Sequence, residues 1–150
     1  MKTFDTLADL AACAGQEITV TDWHLVTQEA IDKFADATGD HQWIHVDPER
    51  AKAGPFGTTI AHGYLTLSLL SGFFDRSVQV RDARMVINYG SNRVRFMSPV
   101  PVNSRLRARI ELLGATPIEG GMQLTWRSTV EREGCDKPVC VAESLTRYYL

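Results

Sequence analysis

From Ala53 to Phe74 the chain carries no Asp, Glu, Lys or Arg. Within that stretch, Ala61, Tyr64, Leu65, Leu67, Leu69, Leu70, Phe73 and Phe74 leave no polar face if the segment is helical. A helix that is apolar nearly all round has to be surrounded. The run is too short to cross a bilayer, which takes about 20 residues. Gly54-Pro55-Phe56-Gly57 reads as a turn before it. A helix buried inside the protein is expected, and the remaining chain must supply its cover.

That cover reads as strands. In Ser104–Leu113, Leu106, Ala108, Ile110 and Leu112 alternate with Arg105, Arg107, Arg109 and Glu111. In Met122–Glu131, Met122, Leu124, Trp126, Ser128 and Val130 alternate with polar residues. Period-2 alternation marks half-buried antiparallel strands. Met85–Tyr89 and Val94–Met97 read as strands on either side of Gly90, a bulge or break. Val139–Tyr149 is the expected last strand, with turns at Pro99–Pro101, Thr116–Gly121 and Gly134–Pro138. Upstream, Thr27–Thr38 reads as an amphipathic helix capped by Thr27 and stopped by Gly39. A short helix starts at Asp47-Pro48. The order is helices first, then sheet: an α+β fold whose antiparallel sheet curls round the apolar helix and hides Leu65, Leu69 and Phe73.

The 150 residues are expected to form a single domain spanning 1–150, with ordinary apolar and charged content. The net charge of −2 gives no electrostatic footprint for nucleic acid. Charge is uneven, −7 over residues 1–75 and +5 over residues 76–150; such asymmetry usually marks solvated faces, and it could also supply cations for an anionic ligand in the C-terminal half. Cys13, Cys135 and Cys140 fit no zinc or redox spacing and read as reduced thiols. Asp5 and Asp9 interrupt any secretory signal. A cytoplasmic protein with no membrane partner is expected.

The chemistry-bearing residues cluster around the apolar run. Asp40 and His45 sit five residues apart in a segment read as non-helical, able to converge on one water. A neutral imidazole can accept a proton from water near pH 7. A carboxyl group walled by Trp43 and Ile44 would have its ionised form disfavoured and could hold a proton. An acid and a base on one face suit addition of water to a double bond conjugated to a carbonyl. Gly63, at the tip of the apolar helix, lets a carbonyl oxygen approach a backbone N–H. A thioester is a suitable carbonyl. Taken singly, Asp40 reads as a turn residue, His45 as an interior histidine and His62-Gly63 as an ordinary helix entry.

Ala37-Thr38-Gly39-Asp40-His41-Gln42-Trp43-Ile44-His45-Val46-Asp47-Pro48, Gly54-Pro55-Phe56-Gly57 and Ala61-His62-Gly63-Tyr64-Leu65 resemble the MaoC-like, R-specific enoyl-CoA hydratases (hydratase 2) of the hotdog fold. So do Ile87-Asn88-Tyr89-Gly90, Val94-Arg95-Phe96 and Pro99-Val100-Pro101, and the nodulation protein N branch is the most similar. The resemblance implies a catalytic Asp40–His45 dyad, an oxyanion donor at Gly63 and Ser71 near the dyad. It further implies substrate contacts from Gln42, Trp43, His62, Tyr89 and Gly90. It implies a homodimer with the site near the subunit interface, and an acyl chain entering between sheet and helix. Many relatives have Asn-Pro where this chain has Gln42-Trp43, and the indole is expected to narrow the acyl pocket.

The expected activity is reversible hydration of trans-2-enoyl thioesters to R-3-hydroxyacyl thioesters, on coenzyme A or acyl carrier protein, without a separate cofactor. Arg84, Arg93 and Arg95 are candidates for the coenzyme A phosphates. A non-catalytic acyl-thioester-binding hotdog module and an acyl-CoA thioesterase are the alternatives. A metal site from Asp40, His41 and His45 lacks the spacing of a third ligand, and no metal is expected.

Overall fold

A computed structural model describes all residues from Met1 to Leu150. In chain order the elements are β1 (Lys2–Phe4), α1 (Leu7–Ala11), β2 (Gln16–Val20), β3 (His24–Leu25), α2 (Gln28–Thr38), α3 (Trp43–Val46) and α4 (Pro48–Lys52). They are followed by α5 (Gly63–Ser77), β4 (Val78–Val80), β5 (Met85–Phe96), β6 (Arg105–Ile118), β7 (Gly121–Arg132) and β8 (Cys140–Tyr149). One antiparallel sheet runs β2-β6-β7-β8-β5, with β3 beside β6, and the short strands β1 and β4 pair in parallel. The α+β arrangement of antiparallel sheet and central helix is therefore the one expected.

The period-2 reading holds residue by residue. Leu106, Ala108, Ile110 and Leu112 of β6, and Leu124, Trp126, Ser128 and Val130 of β7, are all fully buried. Each large apolar side chain buried in this way contributes roughly 1.5–3 kcal/mol relative to exposure. Their outward neighbours form ion pairs across the strands: Arg105–Glu133, Arg107–Glu131, Arg109–Glu17 and Arg127–Glu111. On the inner face, Phe74 of α5 meets Trp126 edge-on at 5.0 Å, and the indole Nε1–H donates to the Thr146 hydroxyl at 2.9 Å.

Three expectations need correction. The order is not helices first, because β1, β2 and β3 precede α2; strands of two to five residues are too short to show a period. The two strands placed around Gly90 are one strand, β5, which absorbs Gly90 through register shifts at Asn88/Gly90 and Ser91/Arg93, as bulges do. Finally, α5 is not enclosed on every side. Leu65, Leu70 and Phe73 are buried, but Leu69 is only partly so, and Tyr64 is 70% exposed. Tyr64, Ser68, Ser71 and Asp75 form an open stripe along the helix, at the spacing of one helical face.

The edge strand β5 is the least covered element. Met85, Val86, Ile87, Tyr89 and Phe96 are all exposed on it. No helix is long and apolar enough to cross a membrane.

Two buried polar groups in the sheet should respond oppositely to removal. Thr146→Val deprives the Trp126 N–H of its acceptor and should lower unfolding free energy by about 1–3 kcal/mol. The Ser128 hydroxyl is buried without a partner, so Ser128→Ala should leave stability unchanged or raise it. Urea unfolding of the two variants beside wild type reads both.

Candidate active site at the tip of the apolar helix

Local structure brings the two predicted reacting groups together. Thr27 caps α2 by accepting from Ala30 N–H, and Gly39 ends it in the left-handed region at φ 78°, which glycine adopts without strain. That reversal turns Asp40 back towards the following turn. His45 N–H donates to the Gln42 carbonyl at 2.9 Å, and Asp47 N–H to that of Trp43 at 3.1 Å. His45 therefore sits on a short helical turn, α3, rather than in the loop expected, because Asp47 and Pro48 start α4 directly behind it. Donor atoms of Asp40, His45 and His62 all lie within 4.8 Å of one another.

His45 is 7% exposed. Its Nδ1 lies 2.7 Å from the Ile60 carbonyl. A carbonyl only accepts, so Nδ1 carries the proton and Nε2 is left as a bare base. The His45 main-chain carbonyl accepts from Gln28 Nε2 at 2.8 Å, and Thr59 Oγ1 donates to Gln28 Oε1 at 2.6 Å, fixing that amide. Burial pushes the imidazole below its ordinary pKa, the Ile60 bond pulls upward, His62 lowers it further and Asp40 raises it.

Asp40 is exposed, and its Oδ1 receives a long contact from Gln42 N–H at 3.4 Å. The expected apolar wall is absent from this chain's own surface. Trp43 turns away, its ring under the Arg50 guanidinium at 4.5 Å and against Gly54. Gly63 opens α5, so its N–H has no partner within the helix. A Cβ at Gly63 would lie 3.0 Å from the Phe96 ring, so any other residue would have to push that ring aside.

The other expected site residues lie elsewhere. Ser71 is eight residues along α5 from Gly63, about 12 Å of helix rise, so within one chain it is not near the dyad. It lines a groove of about 880 Å³ between α5 and the sheet, together with Asn88, Tyr89 and Gly90. Arg84, Arg93 and Arg95 are exposed and have no carboxylate partner, unlike the paired arginines of β6 and β7. Gln42 is exposed, and its carbonyl starts the α3 turn. His41 leaves the cluster to pair with Asp36 at 2.9 Å, which raises its pKa. The ligand cluster thus contains His62 in place of His41. Its imidazoles stack at 3.8 Å and 26° from parallel. Gln28 and Thr59 were not legible beforehand: their partners lie 17 and 31 residues away, and nothing local distinguishes them.

Comparison with known proteins identifies the family. Residues 9–133 match the family model described as MaoC like domain. The chain is 56% identical over 149 residues to 3-hydroxyacyl-thioester dehydratase Z of Mycobacterium tuberculosis, covering 99% of both proteins. It is 48% identical to nodulation protein N of Rhizobium leguminosarum bv. viciae, covering 94% of this chain and 89% of that one. Among solved structures, the monoamine oxidase regulatory protein of Archaeoglobus superposes with a TM-score of 0.76 at 27% identity, covering 91% of each chain. The expected hotdog architecture is the one these relatives share, and the chain belongs to the MaoC-like dehydratase family.

Proposed function

We propose that the protein is an enoyl-thioester hydratase, reversible as a dehydratase of R-3-hydroxyacyl thioesters. The observation that carries this reading is the convergence of Asp40 and His45 beside the first N–H of α5. The dehydratase name of a full-length relative at 56% identity supports the thioester substrate class, and the R configuration follows the family resemblance.

The site residues divide the reaction simply. His45 Nε2 takes a proton from a water held between it and Asp40. The water oxygen bonds C3 of the enoyl group, and the π pair moves to C2 and the thioester oxygen as an enolate. Gly63 N–H stabilises that oxygen, a contribution of roughly 3–4 kcal/mol for one such donor. A proton held by the Asp40–His45 pair is then delivered to C2, and both groups return to their starting states. Nothing is oxidised or reduced, so the reaction calls for no redox cofactor. Arg93 and Arg95, exposed and unpaired on β5, are suited to the coenzyme A phosphates.

The same reading takes a homodimer as the working form. A long apolar edge strand such as β5 is a ready template for pairing with another chain, and the groove lined by Ser71, Tyr89 and Gly90 runs beside it. A second copy docked edge to edge would roof that groove as an acyl channel.

Purified protein should consume the enoyl chromophore of crotonyl-CoA and form the R-3-hydroxy product on a chiral column. Asp40→Asn and His45→Gln should each lower kcat by about 10²–10⁴ with melting temperature nearly unchanged; wild-type turnover in both would falsify the dyad. Because burial depresses the His45 pKa, its neutral, basic form persists into mildly acidic solution. The acid limb of kcat/KM should therefore lie below the ordinary histidine range, activity being lost as pH falls through it. Light scattering should give a dimer mass, and Ile87→Lys should shift it towards monomer.

A further inference from the structure

His62 stands at the start of α5 but does nothing a capping residue does: it makes no side-chain cap bond, where Ser, Thr, Asp or Asn would be favoured. It is 2% exposed. Its Nε2 lies 2.9 Å from the main-chain carbonyl of Asp40, 22 residues away, so Nε2 is protonated and donates. Its Nδ1 is left bare, buried and without a partner. One ring face stacks on His45 at 3.8 Å and the ring meets Phe34 of α2 at 5.0 Å.

Asp40 has little else to hold it. Its N–H reaches Thr38 Oγ1 only at 3.4 Å, and its carboxylate reaches Gln42 N–H at the same distance. The left-handed Gly39 precedes it. The bond from His62 is the short tether between this exposed turn and the buried imidazole.

We propose that His62 is a positioning residue, a neutral imidazole that stacks on His45 and pins the Asp40 main chain to that stack, and so sets the separation of the two groups sharing the water. This rests on the reading of Asp40 and His45 as the reacting pair. It replaces the expected role of His62 in contacting substrate, because neither ring nitrogen is open to a ligand. The titratable groups facing the stack are the Asp40 carboxylate and the two imidazoles themselves. Phe34, Gln28 and the Ile60 carbonyl, the other groups against it, are uncharged. A proton on either ring opposes one on the other, so a neutral His62 leaves His45 available as a base.

Two substitutions separate tether from ring. His62→Phe keeps the stacking surface and removes the donor; His62→Gln carries an amide N–H to the same reach. With crotonyl-CoA, His62→Phe should lower kcat by about 10–10² while KM stays within about threefold, since small misplacement of a reacting group costs that much. His62→Gln should recover most of the rate. Unchanged kcat in His62→Phe, a rise in KM alone, or no recovery in His62→Gln would overturn the proposal. A second measurement needs neither variants nor turnover. Long-range ¹H–¹⁵N spectra of wild type at neutral pH should show His62 protonated at Nε2 only and His45 at Nδ1 only. A cationic or Nδ1-protonated His62 would overturn the tether. If wild type turned over no enoyl thioester, the hydratase reading would fall, and the tautomers would still decide the tether.

Discussion

The hydrogen bond from His45 Nδ1 to the Ile60 carbonyl joins the two halves of the site, and the chemistry proposed here depends on it. On one side lies the α2–α3–α4 segment that presents Asp40 and His45; on the other lies the extended lead into α5. At 2.7 Å and buried, the bond fixes which imidazole nitrogen is a base and how the ring faces the helix tip. The surrounding contacts reinforce the same joint. Ile60 N–H donates to the Ile44 carbonyl at 3.0 Å, while Gln28 spans from the His45 carbonyl to the Thr59 hydroxyl. A base oriented in this way needs no reorganisation when a proton is transferred, which is how preorganised polar sites lower barriers.

Electrostatics are divided between the two ends of the molecule in a consistent way. Around His45 the groups are neutral apart from Asp40, and burial keeps the imidazole uncharged. Across β6 and β7, Arg105, Arg107, Arg109 and Arg127 are paired with glutamates. Exposed pairs of this kind add little stability each; their effect is to neutralise the sheet's outer face. Arg84, Arg93 and Arg95, on and beside β5, have no carboxylate partner; nor do Arg132 of β7 and Arg147 of β8, whose guanidinium lies over the Tyr89 ring. The charge asymmetry visible in the sequence thus resolves into arginines paired across β6 and β7 and a larger set without carboxylate partners, two of them on the strand that also exposes the apolar edge.

The glycine at the head of α5 shows how packing and the proposed chemistry can favour the same residue. Its backbone N–H is free because it is the first of the helix, and its missing side chain admits the Phe96 ring. An interpretation based on oxyanion binding alone would overlook the second requirement. Trp43 offers the reverse lesson: its place in the motif suggests an acyl wall, yet its ring is occupied by Arg50 and Gly54.

By itself the sequence determined the periodic elements and the local stops. Alternation in β6 and β7, the Thr27 and Asp47 caps, and the left-handed Gly39 depend on neighbours a few residues away, and all are legible in linear order. The proximity of Asp40 and His45 is legible for the same reason. What only tertiary structure decided is everything held by distant partners: the Ile60 and Gln28 contacts that orient His45, and the link from His62 to Asp40. It also decided that α5 keeps an open stripe, because a charge-free sequence records what a helix can bury, whereas how much sheet one chain can wrap around it is set by strand length and pairing.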